Sequence, residues 1–155
     1  PVKQAAAVPE KQGFAASIDA AASEVHEACQ QHQNLGVDTT PLADLLRKLA
    51  EAAKSNDRQN MLICARSIAA YINNFSKESN GIIKKCSKEF VQDKIQRNSM
   101  ALKNFSTQLK VLIAVKVASD VGDSDSDDQI VSVVRSMARS LAEALDGMDM
   151  AARLK

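Results

Sequence analysis

Apolar residues at Cys64, Ile68, Ile72, Phe75, Ile82 and Cys86 follow one another at steps of three, four or seven. At 100° per residue all six stay within about 100° of one another, which is the buried stripe of an amphipathic helix and of no strand. The pattern returns at Ile130, Val134, Met137, Leu141, Leu145 and Met148. No segment shows the two-residue alternation of a half-buried strand. Five Gly and three Pro in 155 residues leave little material for turns, so few, long elements are expected. The fold class that follows is all-α, an antiparallel five-helix bundle of up-and-down connectivity in one domain over residues 1–155.

Punctuation divides the chain into helices over approximately 9–35, 40–55, 57–86, 87–119 and 127–153. Gly36 is placed to end the first. Thr40 can cap the second, with Pro41 at its first position, where a missing N–H costs nothing. Asn56 with Gln59 three residues on resembles a capping box for the third. Asn80-Gly81 is a weak point inside it, and Ser87 can cap the fourth. The segment VGDSDSDD reads as a loop whose acidic end suits the start of the fifth helix.

On the fourth helix Val91, Ile95, Leu102, Phe105, Leu109, Leu112 and Ile113 share a face. Val111 and Val115 lie about 200° and 240° around from Leu109, nearly opposite that face. Two accounts are open: a central helix buried on two sides, or an apolar contact patch flanked by Lys110.

Catalytic and metal chemistry have no visible constellation, so the chain is expected not to be an enzyme and to need no cofactor. His26 and His32 are six apart, which is not a helical ligand spacing. Asp123, Asp125, Asp127 and Asp128 lack the glycine and distant Glu of an EF-hand loop, and read as a solvated helix start. Cys29, Cys64 and Cys86 form no CxxC pair. Cys64 and Cys86, on the core stripe, read as buried small hydrophobes, and the two methionines of the fifth stripe as packing. The opening PVKQAAAVPEKQ carries no signal pattern, and a reducing cytoplasm is expected.

Two segments carry a family resemblance. FSTQLKVLIAVK, from Phe105 to Lys116, resembles the fourth helix of the vinculin tail domain, and LICARSIAAYINNFSKESNGIIKKCS, from Leu62, is similar to its third. The pattern runs from Cys64 to Lys116 without a gap, and both Cys64 and Cys86 match cysteines. SMARSLAEAL, from Ser136 to Leu145, looks more like the corresponding helix of α-catenin. The resemblance implies a C-terminal tail domain of the vinculin/α-catenin family. Its function would be binding F-actin and linking cell-cell or cell-matrix adhesion sites to the cytoskeleton. Carried over residue by residue, it nominates Lys110, Val111, Val115 and Lys116 as filament contacts, although Lys116 projects near the core side of an ideal helix.

Departures from the family pattern lie at Gln31 and His32, where a Trp is usual, and at Glu89, Phe90 and Gln92, where vinculin has a basic ladder. No counterpart of the long C-terminal arm precedes Lys155. These features accompany acidic-phospholipid binding and self-association in the family, so lipid binding is marked down. Self-association on filaments stays open, and no nucleic-acid partner is expected. The alternative is a talin-rod-like or focal-adhesion-targeting-like bundle that binds partner helices and not actin. A third reading is a bundle with a structural role only, one segment of a longer rod.

The formal net charge of +1 hides a division. Residues 54–116 hold twelve basic and four acidic side chains, whereas residues 117–149 hold two basic and eight acidic. Actin filaments are acidic, so the basic part is the one expected to attract them.

Overall fold

The computed structural model describes residues 10–119 and 124–154, with the side chains of residues 10–12, 124 and 125 left aside. Five α-helices account for nearly all of it: α1 Glu10–Gln31, α2 Thr40–Lys54, α3 Arg58–Lys85, α4 Glu89–Ala118 and α5 Ser124–Arg153. Among the described residues there is no strand. Each helix packs on the next, and α5 returns to pack on α1. Lys94, early in α4, meets Glu143 and Asp146 late in α5, while Lys116 at the end of α4 meets Asp127 at the start of α5. These two helices therefore run in opposite directions.

The stripes read from the sequence fill the space between the helices. Cys64, Ile68, Ile72 and Phe75 are buried, as are all six residues of the α5 stripe. From α4, Val91, Ile95, Leu102, Leu109 and Ile113 join them. Ile82 and Cys86, at the C-terminal end of α3, and Phe105 and Leu112, at the edge of the α4 stripe, are only half-buried. Cys86 is thus not the buried hydrophobe expected. Its Sγ faces the carbonyl of Lys88 at 3.7 Å in the α3–α4 turn.

Helix ends depart from expectation more than helix bodies. The first α-helix stops at Gln31, and a short 3-10 turn, Gln33–Leu35, carries the chain to Gly36, whose φ of 75° is left-handed. That conformation suits glycine, so the terminator was placed correctly although the last turn differs in type. Pro9, the expected start, lies outside the described residues. Thr40 does not cap α2. It is the first helical residue, its N–H donates to Oδ1 of Asp38 at 3.0 Å, and Thr39 takes the cap position.

At α3 the cap is Asp57, whose carboxylate accepts from the N–H of Asn60 at 3.2 Å. Asn56 instead adopts φ 56°, the left-handed turn that Asn tolerates better than most residues. Ser87 does not cap α4, since Lys88 holds that place without a side-chain bond. The Gln92 amide reaches back and donates to the carbonyls of Ile83 and Cys86, so the end of α3 is satisfied from within α4. Helix α5 begins at Ser124, earlier than expected; the preceding loop residues, Asp123 among them, lie outside the described set.

Two helical glycines give a paired prediction. A Cβ on Gly81 would meet open space, whereas one on Gly147 would lie 2.8 Å from Cγ1 of the fully buried Ile95. Gly147 thus lets α5 approach α4 closely. We expect Gly81→Ala to raise stability by about 0.5–1 kcal/mol through helix propensity. Gly147→Ala forgoes that gain to an overpacking cost of about 1–3 kcal/mol. Thermal melts of the two variants check this, and a Gly147→Ala protein as stable as Gly81→Ala would remove the close approach.

Candidate functional site

Helix α4 has neighbours on two sides, α3 and α5, and its third side faces solvent. Val111 and Val115 stand there at 57% and 56% exposure, while Leu109 between α4 and the core is at 0%. Neither neighbour covers Val111 or Val115, so the reading in which these two valines are buried as a second core face is excluded, and they stand outward. Met100, 56% exposed, extends their patch. It precedes Val111 by eleven residues, three helical turns, and so returns to within about 20° of the same direction. Asn104, Thr107, Ala114 and Ala118 are exposed on that face too. From Met100 to Val115 the stripe is about 22 Å long at 1.5 Å per residue.

Its two edges differ. On the α5 side a shallow groove is lined by Thr107, Gln108, Val111 and Leu112 from α4 and by Gln129, Ser132 and Val133 from α5. On the other side Lys103 and Lys110, seven residues apart, line up along the helix, both exposed. Neither has an ion pair among the described residues. No acidic residue occurs anywhere between Lys94 and Lys116, so the stripe is bordered by cations without local compensation.

The four nominated residues do not form one group. Lys110, Val111 and Val115 share the outer side, but Lys116 projects about 140° from Val111. Its ammonium donates to Oδ1 of Asp127, and both side chains are mostly buried, at 20% and 15% exposure. The same Nζ stands 5.0 Å from the centroid of the Phe14 ring on α1. Lys116 ties the end of α4 to the starts of α5 and α1; it follows Val115 in the sequence, but its side chain points about 100° away.

Internal pairing also trims the basic region read from the sequence. Lys94 donates to Glu143 at 2.8 Å and lies 3.2 Å from Asp146, and those contacts hold its ammonium above the ordinary lysine value, the Glu143 hydrogen bond most of all. Arg97 pairs with Asp93 at 3.6 Å. Part of the charge division between the fourth and fifth helices thus serves to hold them together, and Lys103 and Lys110 are what α4 offers outward. Met100 was missed because methionine in a helical stripe reads as a core filler; the signal was its phase, shared with Val111.

Among the described residues no cluster of three or more His, Cys, Asp or Glu could hold a metal ion, and no helix is long and apolar enough to cross a membrane. The side chains of Asp123 and Asp125 fall outside that statement.

The class defined so far is an all-helical protein with a cation-edged apolar stripe on one outer helix. Compared with models of known protein families, the chain matches none. It is similar to a probable vinculin of Dictyostelium discoideum, 26% identical over 110 residues. The match covers 71% of this chain and 13% of that protein, so the chain spans a small part of the relative's length. The similarity supports a relation to vinculin-type helical proteins without assigning the chain to one of their domains.

Proposed function

We propose that this chain is an actin-filament-binding module of the vinculin/α-catenin tail kind, an up-and-down antiparallel bundle of five helices. The outer side of α4 is its filament surface. Val111 and Val115, with Met100, supply the apolar contact, and Lys103 and Lys110 supply attraction to an acidic filament. The observation that carries this reading is the outward placement of Val111 and Val115 on a helix whose Val91, Ile95, Leu102, Leu109 and Ile113 are in the core. Exposed apolar stripes of this length mark contact surfaces, since single scattered hydrophobes would suffice for an ordinary solvent face. The segment holding them is the one that resembles the vinculin tail. Lys116 has a different part: it fixes the α4 terminus and so holds the stripe in place. In the cell such a module would work in the cytoplasm at adhesion sites, coupling them to the cytoskeleton.

Co-sedimentation with purified actin filaments tests the proposal. The chain is expected to pellet saturably at micromolar filament concentration, with affinity falling several-fold as salt rises toward the range where the Debye length is about 8 Å. A chain left wholly in the supernatant at every salt concentration would overturn it in favour of a bundle that docks partner helices.

A further inference from the structure

Sulfur is unevenly exposed in this bundle. Of the five methionines, Met61, Met137 and Met148 are at 1%, 0% and 2% exposure, and Met150 is half-buried. Met100 is at 56%, in the outward stripe of α4. The other large apolar side chains exposed among the described residues, Ile63, Phe90, Val111, Val115 and Leu154, are hydrocarbons. A small oxidant that reaches apolar surface therefore finds its reactive atom inside the stripe, while the core thioethers are screened by packing.

The surroundings of Met100 make its oxidation state consequential. It shares the direction of Val111 to within about 20°, so its thioether is part of one apolar strip. Arg97, a turn before it, is occupied with Asp93 at 3.6 Å. Lys103, a turn after it, is exposed and has no ion pair among the described residues. A sulfoxide carries a strongly polar oxygen that accepts hydrogen bonds, and the Lys103 ammonium is the donor within one helical turn. Oxidation thus puts a hydrated oxygen into a contact that excludes water, and it engages a cation that the stripe otherwise offers outward. The core is left alone, since Leu102 and Leu109 point inward and are fully buried.

We propose that Met100 is a modification site for peroxides, and that its sulfoxide form weakens the filament contact. The proposal rests on the filament reading of the α4 stripe. A sulfur lone pair attacks one oxygen of hydrogen peroxide, the O–O bond breaks, and its electron pair leaves with the second oxygen. The proton of the transferred oxygen passes to that leaving hydroxide, so water departs and the sulfoxide remains. Sulfur loses two electrons and the peroxide gains them. Methionine sulfoxide reductases, one for each epimer at sulfur, reverse the change.

The test treats the intact chain with dilute hydrogen peroxide, quenches with catalase, and follows each methionine by peptide mapping. Met100 is expected to oxidise at least about tenfold faster than Met61, Met137 or Met148. Equal rates overturn the proposal whatever the chain binds. After a thiol reductant has restored reversibly oxidised cysteines, the treated chain is co-sedimented with actin filaments. Its affinity should be lower by at least about fivefold, with an unchanged melting temperature, and reductase treatment should restore it. Met100→Gln should show the same loss without peroxide. Met100→Leu should bind as the unaltered chain does and keep its binding through the peroxide. A treated chain that pellets as well as the untreated one, or a leucine variant that loses binding on treatment, overturns the regulation and leaves the filament reading standing. An untreated chain that never pellets overturns the filament reading and the regulation with it.

Discussion

Truncating Leu109 to Ala is expected to remove about 2–5 kcal/mol of stability, while Val111→Ala, two residues along the same helix, costs within about 0.5 kcal/mol. The two side chains differ by 200° in direction. Leu109 is fully enclosed, and its loss leaves a cavity among α4 and its neighbours as well as forfeiting the transfer of its own methyls. Val111 is already more than half in water, so its methyls contribute little to folding. Chemical denaturation of the two variants reads the difference directly. Equal losses would mean that α4 is enclosed on its outer side as well, and the stripe would cease to be a surface.

The second large effect concerns binding. Val111→Asp with Val115→Asp should lower filament affinity at least about tenfold, because two carboxylates would enter an apolar contact facing an acidic filament. Stability should change by no more than about 1 kcal/mol, the range of exposed helix substitutions. That separation is the signature of a contact residue; a core residue loses both together. Lys110→Ala is a milder companion, acting through the charge at the stripe's edge, and its effect should fade as salt rises.

Much of this was legible in the sequence because a helix core obeys a period. Ile68, Ile72 and Phe75, or Val134, Met137 and Leu141, repeat in phase, and tertiary packing can only use the face they define. The helix ends obey no such rule. Thr39 and Thr40, or Asn56 and Asp57, are adjacent residues of equally cap-forming type, and the choice between them is made by the register of the flanking helices. The position of Val111 and Val115 was visible as an angle, but whether anything covered them depended on how many helices surround α4. Lys116 joined their group through the family resemblance, its core-side angle already visible, and Asp127 and Phe14 show where it is held. The distribution of charge likewise gave a basic and an acidic region, without saying that Lys94 and Lys116 of the one would be taken up by Glu143, Asp146 and Asp127 of the other.

Co-sedimentation of the unaltered chain and of the Val111→Asp, Val115→Asp variant with actin filaments, in one run and with melts of both, tests the account most directly. It predicts that the unaltered chain pellets saturably and that the variant, equally folded, remains in the supernatant. Equal pelleting of the two would contradict the assignment of the α4 stripe, and an unaltered chain that never pellets would contradict filament binding itself.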